Sequence, residues 1–272
     1  MTALFAYYKF SAKLILMIDI TPQLPALLEM LRAASDAIIR IYDTNATKVT
    51  IKEDNSPLTQ ADIAAHRLIT AGLPKLFPHI PVVSEEGDSV ANAKTVQGSS
   101  TFWLVDPLDG TKEFIKRNGQ FTVCVSLIEH GKPTFGLISA PALEEIWYGG
   151  QSNGSFKVSQ GGVRPIRVAE QKTGIVLGSL THPSPETDAY IAAHYSSTEI
   201  SEVGSQLKFT RIAEGQADAY PRIGAPLKLW DVAAGHAVLV GAGGSVTRPD
   251  GSALNYNEAS MLIGDFVARA QQ

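Results

Sequence analysis

Cysteine is almost absent from this chain: Cys124 stands alone among 272 residues, so no internal disulfide can form. That excludes a small disulfide-stapled scaffold and fits a reducing compartment. Cys124 lies in the alternating stretch FTVCVSLI, where a buried strand thiol is expected rather than a reactive one. A surplus of one charge sign is also missing. Lys and Arg number 23 against 27 Asp and Glu, a net charge of -4, and no Lys/Arg run occurs. A nucleic-acid polymer is therefore not an expected partner, and an anionic ligand must be held by local groups. Nor does any apolar run reach the roughly 18 residues of a membrane span. The opening MTALFAYYKFSAKLILMIDI is broken by Lys9 and Lys13, and Leu14 to Ile18 is too short for a signal core. Residues 1–17 are read as an extension outside the core, with Met17 as the alternative start, and loss of Met1 to Leu16 is expected to be neutral.

What the chain has is 44% hydrophobic residues, enough for a substantial core in one or two domains. Thr21 and Pro22 open a helical pattern in which Leu24, Leu27, Leu28, Leu31, Ala34, Ile38 and Ile41 recur on one face. A helix is predicted over Thr59 to Leu73 and strands over Ile80 to Ser84 and Phe102 to Val105. Gln120 to Glu129 and Thr134 to Ala140 form a further strand pair, giving an antiparallel sheet flanked by helices. Beyond Gly149 a Gly-rich strand and turn is followed by a strand at Gly174 to Ser179. Helices are predicted near Pro185 to Ala193, Ser205 to Gly215 and Val232 to Gly241. An α+β class follows, divided into residues 18–145 and 146–272 by a packed junction.

Chemistry concentrates in Trp103 to Phe114, WLVDPLDGTKEF. Pro107 cannot donate to a ladder, so the strand is expected to end with Asp106 at its carboxyl edge. Asp109 then falls at a helix N-cap, and the amides of Gly110 and Thr111 offer an anion site. Glu85 and Glu86 follow the strand PVVS, Asp62 opens QADIAAHRLI, and Asp231 precedes VAAGHAVLVGAGG as a candidate N-cap. Taken singly, each of these acids reads as a cap or a solvated turn. Together they supply hard oxygen ligands at the ends of rigid elements, as divalent ions such as magnesium require.

The blocks LTQADIAAH, PVVSEEG, WLVDPLDGTKEF and LWDVAAGHAVLVGAGG resemble, in order and spacing, the lithium-sensitive, magnesium-dependent phosphatases that include inositol monophosphatases and 3'(2'),5'-bisphosphate nucleotidases. The likeness covers essentially everything after Ile18. EDNSPLTQADIAAH, DPLDGTKEFIKRNGQFTV, VGSQLKF and AEGQADAYPR are most similar to the nucleotidase branch, which acts in sulfur metabolism. The resemblance implies a layered α/β/α/β/α sugar-phosphatase-like fold and a cytoplasmic enzyme holding two or three magnesium ions. Glu85, Asp106 and the Leu108 carbonyl would hold one ion, and Asp106, Asp109 and Asp231 another. Asp62 with Thr111 would activate the attacking water. Gly110 and Thr111 would bind the reacting phosphate, with Glu85 and Asp231 beside the substrate, and Glu86 has no role in that pattern.

For the substrate, Lys112 adds a charge at the phosphate turn, and Ser205, Lys208 and Arg222 match positions that hold the remote 5'-phosphate. As single residues, Lys208 and Arg222 read equally well as solvated surface cations. His182 in THPSP lies near a substrate histidine of the family, and a turn histidine is an equal reading. His66 and His236 read as packing residues. The implied reaction is removal of the 3'-phosphate from adenosine 3',5'-bisphosphate, with 3'-phosphoadenylyl sulfate as a second substrate. An inositol monophosphatase or broad sugar phosphatase is the alternative. A non-catalytic metal and nucleotide sensor fits less well, because binding alone does not need the Asp62–Thr111 pair. Oligomeric state and membrane association stay open, a homodimer and peripheral contact with the inner membrane included.

Overall fold

The computed structural model describes residues 17–44, 49–51, 57–195 and 198–270. The extension Met1 to Leu16 and residues 53–56 of the motif EDNSPLTQ lie outside them. After a 3-10 turn at Thr21–Gln23 comes helix α1 (Leu24–Asp43), so Thr21 and Pro22 begin the turn rather than the helix. The hairpin β1 (Val49–Ile51) and β2 (Pro57–Thr59) leads into α2 (Gln60–Leu76). Thr59 caps α2 with its hydroxyl while the Asp62 carboxylate returns to the Thr59 amide, a reciprocal capping box.

The large sheet has seven strands in chain order: β3 (Val82–Ser84), β4 (Thr101–Asp109), β5 (Thr122–Glu129), β6 (Lys132–Ala140), β7 (Glu145–Gly150), β8 (Gly154–Ser159) and β9 (Gly162–Ile166). The β3–β4 pair is parallel, and the remaining neighbours are antiparallel, so the sheet is mixed rather than wholly antiparallel. Parallel pairing needs a crossover. Helix α3 (Ser89–Gly98) supplies it, capped by Asp88, and no apolar periodicity in the sequence announces this helix.

Both faces of the central strands are buried, which explains their near-continuous apolar runs. Trp103, Val105, Val123, Val125, Leu127, Phe135 and Leu137 pack with Leu27, Leu31 and Ile38 of α1 and with Ala65 and Ile69 of α2. Phe102, Leu104, Cys124, Ile128 and Ile138 face the other way, towards α6 (Leu207–Ala213) and α7 (Trp230–Gly241). The contact with α7 is close: a Cβ at Gly136 would lie 2.4 Å from the Ala234 carbonyl oxygen.

Beyond α6 and α7 stands a five-stranded sheet. Its order is β11 (Glu199–Val203), β10 (Ile175–Ser179), β12 (Ala219–Arg222), β16 (Phe266–Arg269) and β14 (Ser245–Thr247). Helix α5 (Pro185–His194) packs on β12, and β13 (Leu227–Lys228) pairs with β15 (Leu262–Ile263). The short helix α4 (Thr111–Lys116) follows β4 directly. The layers therefore alternate α/β/α/β/α. Residue 145 opens β7 inside the large sheet, and the second sheet begins only at Ile175.

Three further details differ from the sequence expectation. Strand β4 continues through Pro107 to Asp109, and a register shift between Asp106 and Asp109 absorbs the residue that cannot donate. The N-cap of α4 is Gly110 in a left-handed conformation (φ 88°), not Asp109. Helix α7 is capped at Leu229, which puts Asp231 inside its first turn instead of at the cap.

Candidate active site

The bulge in β4 is what assembles the acids. It turns the strand between Asp106 and Asp109, and the Leu108 amide donates to Asp106 Oδ1 at 3.0 Å. The first turn of α7 brings Asp231 to the same place. One carboxylate oxygen each from Asp106, Asp109 and Asp231 lies within 4.8 Å of the others, Asp106 buried and the other two partly exposed. Glu85 joins them from the end of β3, its amide donating to the Val105 carbonyl at 3.0 Å. Desolvation first, then the charges of Glu85, Asp109 and Asp231, push the Asp106 carboxyl well above its usual range. Desolvation and the Asp109 and Glu85 charges do the same to Asp231. Asp109 is raised less, to about 6, because the Lys208 charge and the Gln206 amide oppose its desolvation.

Lys208 and Lys228 offset only part of the repulsion among these four acids, which need further positive charge to ionise together. Their donor set is all oxygen and carried by a strand and a helix, so these residues fit hard divalent cations.

Asp62 and Thr111 meet across two elements. Thr111 Oγ1 lies 3.3 Å from Asp62 Oδ1 and 3.2 Å from the Leu108 carbonyl oxygen, either of which can take its proton. Asp62 Oδ2 accepts from the Thr59 amide at 2.8 Å and the Thr59 hydroxyl at 2.5 Å. Burial raises the Asp62 carboxyl, chiefly by desolvation, with those Thr59 bonds opposing it.

The acids open onto a cavity of roughly 340 Å³ whose wall also carries Gly110, Thr111, Lys112, His182, Ser205, Lys208 and Arg222. Lys208 and Arg222 are 6% and 5% exposed, so the solvated-cation reading of the sequence does not hold. Lys208 Nζ donates to the Val203 and Ser205 carbonyls at 3.0 and 2.7 Å and sits 5.1 Å from the Tyr220 ring centre. Desolvation lowers it to about 8 against the pull of Asp109 and Glu113. Arg222 donates through Nε to the Ala225 carbonyl at 3.0 Å and through Nη1 to the His182 carbonyl at 2.6 Å. Two carbonyls leave donors unspent on both side chains.

His182 and Lys112 are exposed at the rim, with Nε2 and Nζ 2.9 Å apart. Desolvation and the Lys112 and Arg222 charges lower His182, which suits it to accept from Lys112. Ser205 has a left-handed backbone (φ 52°), and its hydroxyl faces the Asp109 and Gln120 carbonyls at 2.9 and 2.7 Å. A Cβ at Gly110 would fall 2.2 Å from that hydroxyl, so only glycine admits the contact.

Two buried polar residues at this site, Glu113 and Gln206, carried no expectation. Glu113, 2% exposed on the cavity wall, accepts from the Thr181 hydroxyl at 2.7 Å. Gln206, 1% exposed, donates its backbone N–H to Asp109 Oδ2 at 2.7 Å. The signal for Glu113 was its place two residues after Thr111, while an uncharged glutamine gives none. Two histidines outside the cavity are bonded within the fold: His66 Nδ1 to the Ser84 hydroxyl and His236 Nδ1 to the Tyr256 hydroxyl, both at 2.9 Å. Desolvation lowers His236 to about 4. Cys124 is buried, and burial pushes its thiol up, as a structural cysteine requires.

The model of the inositol monophosphatase family matches residues 19–271. The chain belongs to the inositol monophosphatase family. It is 43% identical over 236 residues to the 3'(2'),5'-bisphosphate nucleotidase CysQ of Salmonella typhimurium, covering 86% of this chain and 94% of that protein. The CysQ of Buchnera aphidicola is 39% identical over 246 residues, 89% of this chain and 91% of its own length. The crystal structure of CysQ from Bacteroides thetaiotaomicron superposes with a TM-score of 0.80 at 34% identity, covering 93% of this chain and 100% of that one. The shared fold matches the layers seen here. An acidic metal-type cluster sits in the cavity, and no helix among the described residues is long and apolar enough to cross a membrane.

Proposed function

We propose that this chain is a magnesium-dependent 3'(2'),5'-bisphosphate nucleotidase that removes the 3'-phosphate of adenosine 3',5'-bisphosphate, giving AMP and phosphate. The observation that carries the reading is one cavity walled by both the Asp106–Asp109–Asp231 cluster and the buried pair Lys208 and Arg222. A single phosphate needs only the first set, and a second phosphate on the same substrate accounts for the other. The identity with CysQ proteins over most of the chain supports the same assignment.

Glu85, Asp106, the Leu108 carbonyl, Asp109 and Asp231 would hold two or three magnesium ions, sensitive to lithium. Bound there, such ions lower the pKa of water and neutralise a leaving oxygen. The rest falls to side chains. Thr111 Oγ1 receives a proton from the attacking water while passing its own to Asp62 Oδ1, whose raised basicity fits that task. Gly110 and Thr111 orient the reacting phosphate. Lys112 adds charge beside that phosphate, His182 contacts the substrate at the rim, and Lys208 and Arg222 bind the 5'-phosphate end, where the same contacts would accept 3'-phosphoadenylyl sulfate. Ser205 holds the Gly110 turn.

Phosphate release measured across adenosine 3',5'-bisphosphate, 3'-phosphoadenylyl sulfate, 3'-AMP and inositol 1-phosphate tests this. The expected result is a kcat/KM for the two nucleotides that carry a second anionic group at the 5' end at least about tenfold above the others, one charge-assisted contact being worth roughly 1.5–3 kcal/mol. Preference for inositol 1-phosphate would overturn the nucleotidase assignment in favour of an inositol or broad sugar phosphatase.

A further inference from the structure

Asp109 and Asp231 must converge although they come from elements 122 residues apart in the chain, the bulge of β4 and the first turn of α7. One residue touches both carriers. The Gln206 amide donates to Asp109 Oδ2 at 2.7 Å. Its carboxamide Nε2 donates to the Trp230 carbonyl at 2.8 Å, and Oε1 accepts from the Gly235 amide at 2.7 Å. Trp230 immediately precedes Asp231, so the side chain grips the turn that carries the acid. A Cβ at Gly235 would lie 2.4 Å from the Phe209 ring, so glycine there lets α6, and Gln206 before it, approach α7.

We infer that Gln206 is a positioning residue that sets the spacing between Asp109 and Asp231 and thereby the affinity of the cluster for divalent cations. The inference rests on the metal-binding reading of that cluster. The chemistry is selective for an amide. Glutamate in its place would turn an oxygen towards the Trp230 carbonyl and add a fifth negative charge to the acids. Apolar residues keep the main-chain bond to Asp109 but release α7. Groups that orient metal ligands typically change affinity by about 10–100-fold when removed.

Gln206→Met preserves length and volume while removing both side-chain bonds. Manganese alone serves as the probe, its free concentration read by electron paramagnetic resonance without substrate. Ser155→Ala is the comparison: Ser155 donates to the Val238 carbonyl at 2.7 Å and steadies α7 away from the acids. The expected result is manganese affinity reduced about tenfold or more in Gln206→Met and unchanged in Ser155→Ala. A lower kcat for a small phosphate monoester should accompany it, restored in part by higher manganese. Should the methionine variant not fold, Gln206→Ser leaves room for water at both bonds and carries the same expectation. Wild-type manganese affinity in folded Gln206 variants, or an equal loss in Ser155→Ala, overturns the inference and leaves the metal site standing. Absence of manganese binding by the unsubstituted protein overturns both.

Discussion

Asp106, Asp109 and Asp231 each accept a hydrogen bond from a backbone amide, those of Leu108, Gln206 and Lys228, whereas Lys208 and Arg222 each donate to backbone carbonyls. The two sets share one cavity, and their charge balance differs. The carboxylates are held in place without being fully neutralised: desolvation first, and then their mutual repulsion, raises Asp106 and Asp231 far above the ordinary range. The cations are partly neutralised already, by carbonyl dipoles and by Asp109 itself, which draws Lys208 back towards its charged form. An acidic set fixed by amides requires cations from outside. A basic set fixed by carbonyls persists without a ligand and keeps donors for one. Removing a carboxylate should thus abolish chemistry and relieve strain, while removing a cation should weaken one class of substrate and cost stability.

The largest effect expected is that of Asp106→Asn, which should lower turnover by at least about a hundredfold to a thousandfold. Stability should move the other way. A carboxyl whose folded pKa is raised contributes stability while protonated and loses it as pH rises through that folded value, so at neutral pH a charged Asp106 opposes folding. The metal-free variant should melt no lower than the metal-free parent at pH 7, with the difference vanishing towards acid pH. Magnesium should raise the melting temperature of the parent more than that of the variant. Scanning calorimetry with and without chelator checks both statements. Near-normal turnover in folded Asp106→Asn, or full parental activity in chelator at zero measured metal, would remove the acidic set from the reaction.

How far the two sets were legible in the sequence follows from how each is built. Asp106 and Asp109 lie within four residues, and Asp231 follows Trp230 at a helix start, so local pattern alone marked them as candidates. Local rules misplaced the details. Pro107 is a ladder breaker, yet the bulge lets β4 run on to Asp109, and Gly110 and Leu229 take the cap positions assigned to the acids. Lys208 and Arg222 are different, because their burial depends on α6 and β12 packing side by side, a contact no spacing encodes. Gln206 was invisible for a related reason: its importance lies in three partners from distant segments. The layered architecture could be anticipated from the motif resemblance, while α3, lacking an apolar stripe, could not.

Loss of the basic set should give a smaller and more selective effect. Lys208→Ala and Arg222→Ala should raise KM for adenosine 3',5'-bisphosphate by about tenfold or more, a charge-assisted bond being worth roughly 1.5–3 kcal/mol, and barely alter a small monophosphate. Each variant should also melt lower, since the part-buried hydrogen bonds to the carbonyls of Val203 and Ser205 or of Ala225 and His182 lose their donor. The comparison belongs at fixed ionic strength, where long-range attraction of a multiply charged substrate cannot imitate a contact. Equal losses on both substrates would assign the pair to folding rather than to the second phosphate.

The smallest effect is expected where the two sets join. The Ser205 carbonyl accepts from Lys208 at 2.7 Å, and the Ser205 hydroxyl lies 2.9 and 2.7 Å from the Asp109 and Gln120 carbonyls. A hydroxyl has one proton, and both partners here are acceptors, so that proton is committed to the turn beside Asp109. Ser205→Ala therefore removes one hydrogen bond to backbone, worth about 0.5–1.5 kcal/mol, and leaves the carbonyl that receives Lys208 in place. Melting should fall by about 2–4 °C for each kcal/mol lost in a chain of this size. KM should change by less than about twofold, equally for bisphosphate and monophosphate substrates, because the loss acts through the Gly110 turn that both use. If the hydroxyl instead reorients to bind the remote phosphate, as the family resemblance implies, KM for the bisphosphate alone will rise about fivefold or more, one neutral hydrogen bond at roughly 1 kcal/mol. That outcome would move Ser205 from the scaffold of the acidic set to the working part of the basic one.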